Sequence, residues 1–140
     1  MRDLIIKLNY KGQKKIALVN AEEGFFMSLT EILKDVIIDR EIDLRFPYSF
    51  IILFVKNVAE VEHLAPKALH NLSADGVLWF CYPKKTSKRL NSDIDRAYGW
   101  KILNDSGLKV VRLITIDEDW SAMRFRNIKY IKSSRDKLSK

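Results

Sequence analysis

The chain reads as a single α/β domain, a sheet sandwiched between two helical layers. Three observations carry this. Residues 15–19, 50–55 and 77–82 are short, nearly unbroken apolar runs, the pattern of strands covered on both faces. Between them, apolar residues recur at helical spacing. Near the end, residues 109–116 and 120–126 flank three consecutive acids, Asp117, Glu118 and Asp119, as an antiparallel hairpin would.

Taken in order, residues 1–14 are a lead-in without clear periodicity, and Lys15–Val19 is the first core strand. Asn20 to Gly24 is a loop. Phe25, Phe26, Leu29, Ile32, Leu33 and Val36 then form the stripe of an amphipathic helix. A second strand falls between Val36 and Leu44, and residues 50–55 form a central third. The link between these two strands is too short for a helix, so they pair antiparallel or are joined by an extended crossover. Asn57 with Glu60 is a capping-box-like start to a helix carrying Val58, Val61, Ala65, Ala68, Leu69 and Leu72. Pro66 should kink that helix or begin another. Ala74, Asp75 and Gly76 turn into the fourth strand. Ser92 should cap a third helix, with Asp93 and Asp95 in its first turn and Gly107 at its end. In the last strand Met123 and Phe125 alternate with Arg124 and Arg126, and a bulge is expected near Asn127. Strand–helix alternation gives a three-layer, Rossmann-like sandwich, mostly parallel, with a C-terminal antiparallel hairpin. Residues 1–131 make this one domain and residues 132–140 a basic tail.

Composition narrows function only by exclusion. At 47% hydrophobic and 31% charged the chain matches an ordinary soluble protein. No apolar run approaches the roughly 20 residues of a membrane helix, and no secretory signal opens the chain. A single cysteine excludes an internal disulfide; together these point to the cytoplasm. The net charge of +7 is uneven: residues 124–140 carry seven cations against Asp136, residues 84–89 add four, and residues 21–83 are net acidic.

If the sheet is open and parallel, ligands belong at the C-terminal strand ends. Three loops meet there: Asn20 to Gly24, Tyr82 to Arg89, and Asp117 to Trp120. They suggest a site for a small anionic ligand. Lys84 and Lys85 would supply charge, Tyr82 and Trp120 stacking faces, and Asn20, Asp117 and Glu118 polar contacts. The first loop has two carboxylates and no G-x-G-x-x-G, which counts against a dinucleotide. No Walker A sequence is present. Cys81 lies inside a buried strand and reads as core. His63 and His70 are about 10 Å apart on one helix, too far to share a metal. Phe125 and Tyr130 interleave with basic residues, compatible with a stacking strand for nucleic acid, yet no nucleic-acid-binding motif appears.

Two resemblances follow. Leu78 to Lys85, then Gly107-Leu108, then Asp117 to Phe125, resemble a bacterial family of small uncharacterised proteins, a domain of unknown function. In it an apolar strand ends in Pro-Lys-Lys and a later stretch runs Asp-Glu-x-Trp-Ser-x-x-x-Phe. The resemblance covers residues 75–126, implies no assigned activity or cofactor, and draws attention to Lys84, Lys85, Asp117, Glu118 and Trp120. The hairpin also resembles the sheet edge of class I methyltransferases in architecture, although their glycine-rich loop is not seen. The leading expectation is a non-enzymatic binding or regulatory domain for a small anionic ligand. The alternatives are a transferase-like enzyme using the Asp117–Asp119 carboxylates, and a module that binds nucleic acid or an acidic protein through the basic loop and tail. Neither oligomeric state nor cofactor is legible.

Overall fold

A computed structural model describes residues 1–131. In chain order the elements are α1 (Arg2–Lys7), β1 (Lys15–Val19), α2 (Glu23–Ile32), β2 (Ile37–Asp39), β3 (Tyr48–Phe54), α3 (Val58–Asn71), β4 (Leu72–Pro83), α4 (Lys101–Asp105), β5 (Leu108–Thr115) and β6 (Trp120–Asn127), followed by a 3₁₀ turn at Ile128–Tyr130. The strands form one sheet ordered β2-β1-β3-β4-β6-β5. β1 runs parallel to β2 and β3, and β3 to β4, while β6 is antiparallel to both β4 and β5. The expected fold class, a mostly parallel Rossmann-like sandwich with a C-terminal antiparallel pair, is the observed one.

Strand periodicity divides the core into two layers. Ala17, Ile51, Leu53, Leu78 and Phe80 face α3 and α4, where Leu64, Ala65, Trp100 and Leu103 meet them. Ile16, Leu18, Ile52, Trp79 and Cys81 face α1 and α2. The central strands read as unbroken apolar runs because both of their faces are covered.

Several elements depart from expectation for identifiable reasons. The lead-in contains α1, docked by Ile5 and Leu8 and by the Trp79 Nε1–H bond to the Leu8 carbonyl at 2.8 Å. α2 stops at Ile32, short of Val36. β2 and β3 do not pair; both flank β1, so of the two arrangements expected for this link the extended crossover, residues 40–47, is the one observed. α3 runs unbroken through Pro66, which is exposed. The expected turn at 74–76 is an irregularity inside β4, where Asp75 has φ +53° and the pairing with β3 slips. A Cβ at Gly76 would come within 2.8 Å of Leu72 Cδ1 and 3.1 Å of the Ser73 carbonyl, so a larger residue would have to push the Leu72 side chain aside.

The helix expected after Ser92 is absent; only α4 forms. Ser92 Oγ accepts from the Ile94 N–H, and Asp95 Oδ1 accepts from Ala97 and Tyr98 N–H. These local bonds compete with a helical ladder, and Gly99 at φ +110° ends any continuation. The bulge lies in β5 between Val110 and Arg112, not near Asn127. The basic tail lies outside the described residues.

Candidate functional site

The chain leaves β1 toward β2 on one side of the sheet and leaves β3 toward β4 on the other. β1 and β3 are therefore neighbours at a topological switch point, where an open α/β sheet leaves a crevice above its C-terminal strand ends. A cavity of about 580 Å³ lies there, within the range of small-molecule sites. Its floor is Val19 and Asn20 from the end of β1, and its walls are Glu41, Ile42 and Leu44 from the crossover and Asn57, Glu60, His63 and Leu64 from the start of α3. Asn20 sits at φ +60°, a left-handed turn that asparagine tolerates.

The crossover wall is held by buried polar contacts. Tyr48 is fully buried; its hydroxyl donates to Asp39 Oδ2 and accepts the Asp43 N–H at 2.9 Å. Burial, together with the Asp39 bond, pushes the Tyr48 phenol up to about 12. Buried Asn71 donates to the Asp43 and Phe46 carbonyls, each at 3.0 Å. On the other wall the Asn57 Oδ1 caps the Glu60 N–H at 2.8 Å, the expected capping arrangement.

The three loops named from sequence do meet, but Arg89 closes them. Its guanidinium donates to both Glu22 oxygens at 2.8 and 2.7 Å and to Asp119 Oδ2 at 2.8 Å. Ser87 Oγ donates to Asp119 Oδ1 at 2.7 Å, and Trp120 Nε1 to Glu22 Oε1 at 3.0 Å. The Arg89 bond, aided by Trp120, holds the Glu22 carboxyl below its ordinary range; for Asp119, Ser87 leads and Arg89 follows. The carboxylates in turn hold the Arg89 proton more tightly.

The structure brings Tyr82, Lys84 and Lys85 together at a shared surface cavity beside Asp95 and Arg96, apart from the switch-point crevice, and gives Trp120 and Asp117 structural roles. Trp120 is only 1% exposed and packs edge-on against Phe54 with ring centroids 4.9 Å apart, so it offers no stacking face. Tyr82 is likewise buried, edge-on to Trp100. Asp117 Oδ1 accepts from the Asp119 and Trp120 N–H groups, a turn-forming role, while Glu118 is exposed. Lys85 pairs with Asp95 at 3.3 Å, and the Lys84 N–H bonds the Asp119 carbonyl. Of the residues singled out, Asn20 alone lines the switch-point crevice. Cys81 is fully buried, and burial pushes its thiol up. His63 lines the crevice, whereas His70 lines a separate cavity at the far end of α3. Phe125 faces the core, so it cannot serve a stacking strand. Among the described residues no cluster of metal-ligating side chains forms, and no helix is long and apolar enough to cross a membrane.

No protein-family model and no curated protein matches the chain. Solved structures do. A S-adenosylmethionine (SAM)-dependent methyltransferase from Aquifex aeolicus superposes with a TM-score of 0.62 at 12% identity, covering 91% of this chain and 89% of that one. The N-methyltransferase NodS from Bradyrhizobium japonicum WM9, in complex with S-adenosyl-L-homocysteine, gives 0.58 at 12% identity over 91% and 87%. The ribosomal protein L11 methylase from Lactobacillus delbrueckii subsp. bulgaricus gives 0.58 at 12% over 89% and 76%. The fold is the Rossmann-like methyltransferase fold. The expectation of a non-enzymatic binding domain of unknown role is corrected by these neighbours, which are enzymes of one reaction class. The transferase-like alternative is not overturned by neighbours that are themselves transferases, but the residues assigned to it do not carry it, and the tail of the interaction-module alternative lies outside the described residues. The carboxylates of Asp117 and Asp119 are committed to turn and clasp, Glu118 is exposed away from the crevice, and Lys85 of the basic loop is paired with Asp95.

Proposed function

We propose that the chain is a small S-adenosylmethionine-dependent methyltransferase whose methyl donor lies in the crevice between β1 and β3. The supporting observation is the cavity of about 580 Å³ at the switch point, in a fold shared with methyltransferases of which one holds S-adenosyl-L-homocysteine. The side chains suit such a ligand. Two acids in the first loop would repel a pyrophosphate, but this donor carries none and bears a sulfonium and an ammonium instead. Glu41 and Glu60 put carboxylates in the lining, matched to that cationic character and to ribose hydroxyls. Ile42, Leu44 and Leu64 give apolar walls for a purine.

Bound there, the donor supplies an activated methyl group for direct transfer to a nucleophile. The protein's task is placement, since holding two reactants in line can supply a large part of the barrier reduction. Asn20 ends β1 with a turn that leaves its backbone at the crevice floor. The Tyr48 and Asn71 bonds hold the crossover wall, and the Asn57 cap fixes the opposing helix start.

Calorimetry with S-adenosyl-L-homocysteine tests this. Saturable binding is expected, weakened about tenfold in Glu41→Ala, as for loss of about one charge-assisted hydrogen bond. Glu41 is exposed, so the variant should keep its fold. No heat and no thermal shift at millimolar ligand, or binding that Glu41→Ala and Asn57→Ala leave unchanged, would overturn the assignment.

A further inference from the structure

The far edge of the sheet carries four cations in register. Arg112 stands directly opposite Arg124, and Lys109 opposite Arg126. Opposed residues of an antiparallel pair share a face, as do alternate residues of one strand. Arg124 also lies opposite Trp79, whose layer is that of α1 and α2. All four cations therefore project from that side, while α4 packs on the other side of β5. Lys109 and Arg112 are three apart and would point to opposite faces of a regular strand. The β5 bulge between Val110 and Arg112 adds the residue that brings them onto one face, a re-aiming typical of bulges.

The arrangement is unfavourable on its own. Like charges directly opposite weaken strand pairing. Among the described residues Asp75 is the one carboxylate bonded to the group, and both its oxygens are taken by the Arg126 fork at 2.8 and 2.7 Å. Arg124 Nε is buried without a hydrogen-bond partner among the described residues. Partial burial strips some hydration from this guanidinium, a cost that an anion beside its exposed nitrogens offsets.

We infer that this face binds the sugar-phosphate backbone of a single-stranded nucleic acid. The cations recur along β6 about every 7 Å, forming a row that a backbone with one charge per nucleotide can follow. A carboxylate is satisfied by one guanidinium, as Asp75 is by Arg126. A phosphodiester presents two outward oxygens and can bridge the opposed guanidiniums of Arg112 and Arg124. Phe125 of β6 points into the opposite core layer, so contact rests on phosphate rather than base stacking, and sequence preference should be weak. The surface is separate from the loop at residues 84–89 and from the switch-point crevice.

The test is fluorescence anisotropy of the full chain with labelled 12-nucleotide mixed-sequence RNA and DNA across a salt series. Phosphate contacts from Lys109, Arg112 and Arg124, with Arg126 held by Asp75, predict a slope of log K against log salt of about −2.1, and the exposed pair variant K109A/R112A should lessen it by about 1.4. Its affinity in low salt should fall at least tenfold, with a melting temperature no lower than the wild type's, since the variant removes charges that stand opposite other cations. K84A/K85A should retain both slope and affinity. Binding of RNA, DNA or both with this pattern supports the inference, and their ratio shows whether the sugar is read. Unchanged binding in K109A/R112A, equal loss in K84A/K85A, or equal affinity for a polyglutamate peptide would overturn it. S-adenosyl-L-homocysteine binding, measured separately, is unaffected by any of these outcomes.

Discussion

At the scale of single residues, chemistry at this sheet's C-terminal end is divided between a clasp and a crevice. Arg89 joins three loops through two carboxylates held below their ordinary range. Lowered carboxyl values mean that the native state binds fewer protons than the unfolded chain. The clasp's stabilisation is thus fully present at neutral pH and is lost as pH falls through those lowered values. Arg89→Gln should therefore melt below the wild type at pH 7, with a gap that narrows toward about pH 3; a constant gap in paired thermal melts would show that the clasp contributes no ionic stabilisation. Tyr48→Phe removes a buried hydroxyl that bonds Asp39 and the Asp43 N–H. It should lower stability by about 1–2 kcal/mol in urea titration and weaken binding in the crevice, whose wall it anchors. Asn20 was legible from sequence because it ends the first core strand. Glu41 and His63 were not, because they come from a crossover and a helix that only the folded sheet brings together. Trp120 misled because an aromatic beside an acidic turn looks like an exposed platform, whereas its ring fills the core and only its Nε1 reaches Glu22.

At the scale of elements, the central strands were readable because burial on both faces leaves unbroken apolar runs. Helices were less so. Residues 92–98 carry helix-start residues, but the same Ser and Asp side chains bond nearby backbone N–H groups and hold a loop. The lead-in helix has six residues, too short to stand by its own propensity, and depends on packing that the sequence does not display. Pro66 misled in the other direction. α3 tolerates it because tertiary packing of Val61, Leu64, Ala65 and Ala68 outweighs one missing backbone bond. Pro66→Ala should restore that bond at an exposed position, and a rise in melting temperature is expected. An unchanged or lower value would mean that the restraint proline places on the unfolded chain matters as much as the bond.

At the scale of the whole molecule, the switch point couples fold to ligand. The crevice exists only when β1, the crossover and α3 are all in place, so a ligand there binds the native state alone. At 100 times its dissociation constant S-adenosyl-L-homocysteine should add about 2.7 kcal/mol of stability, read as a rise in melting temperature that Glu41→Ala reduces. The order of the strands has a second consequence, in time rather than in energy. β6 lies between β4 and β5, yet it is made after both. During synthesis β5 emerges with no neighbour to join, because its one partner in the sheet has yet to be translated. Strands β1 to β4 can assemble as the chain leaves the ribosome, and β5 must wait, its Leu108 and Ile114 without the core layers they join in the folded sheet, until β6 is inserted and closes the gap.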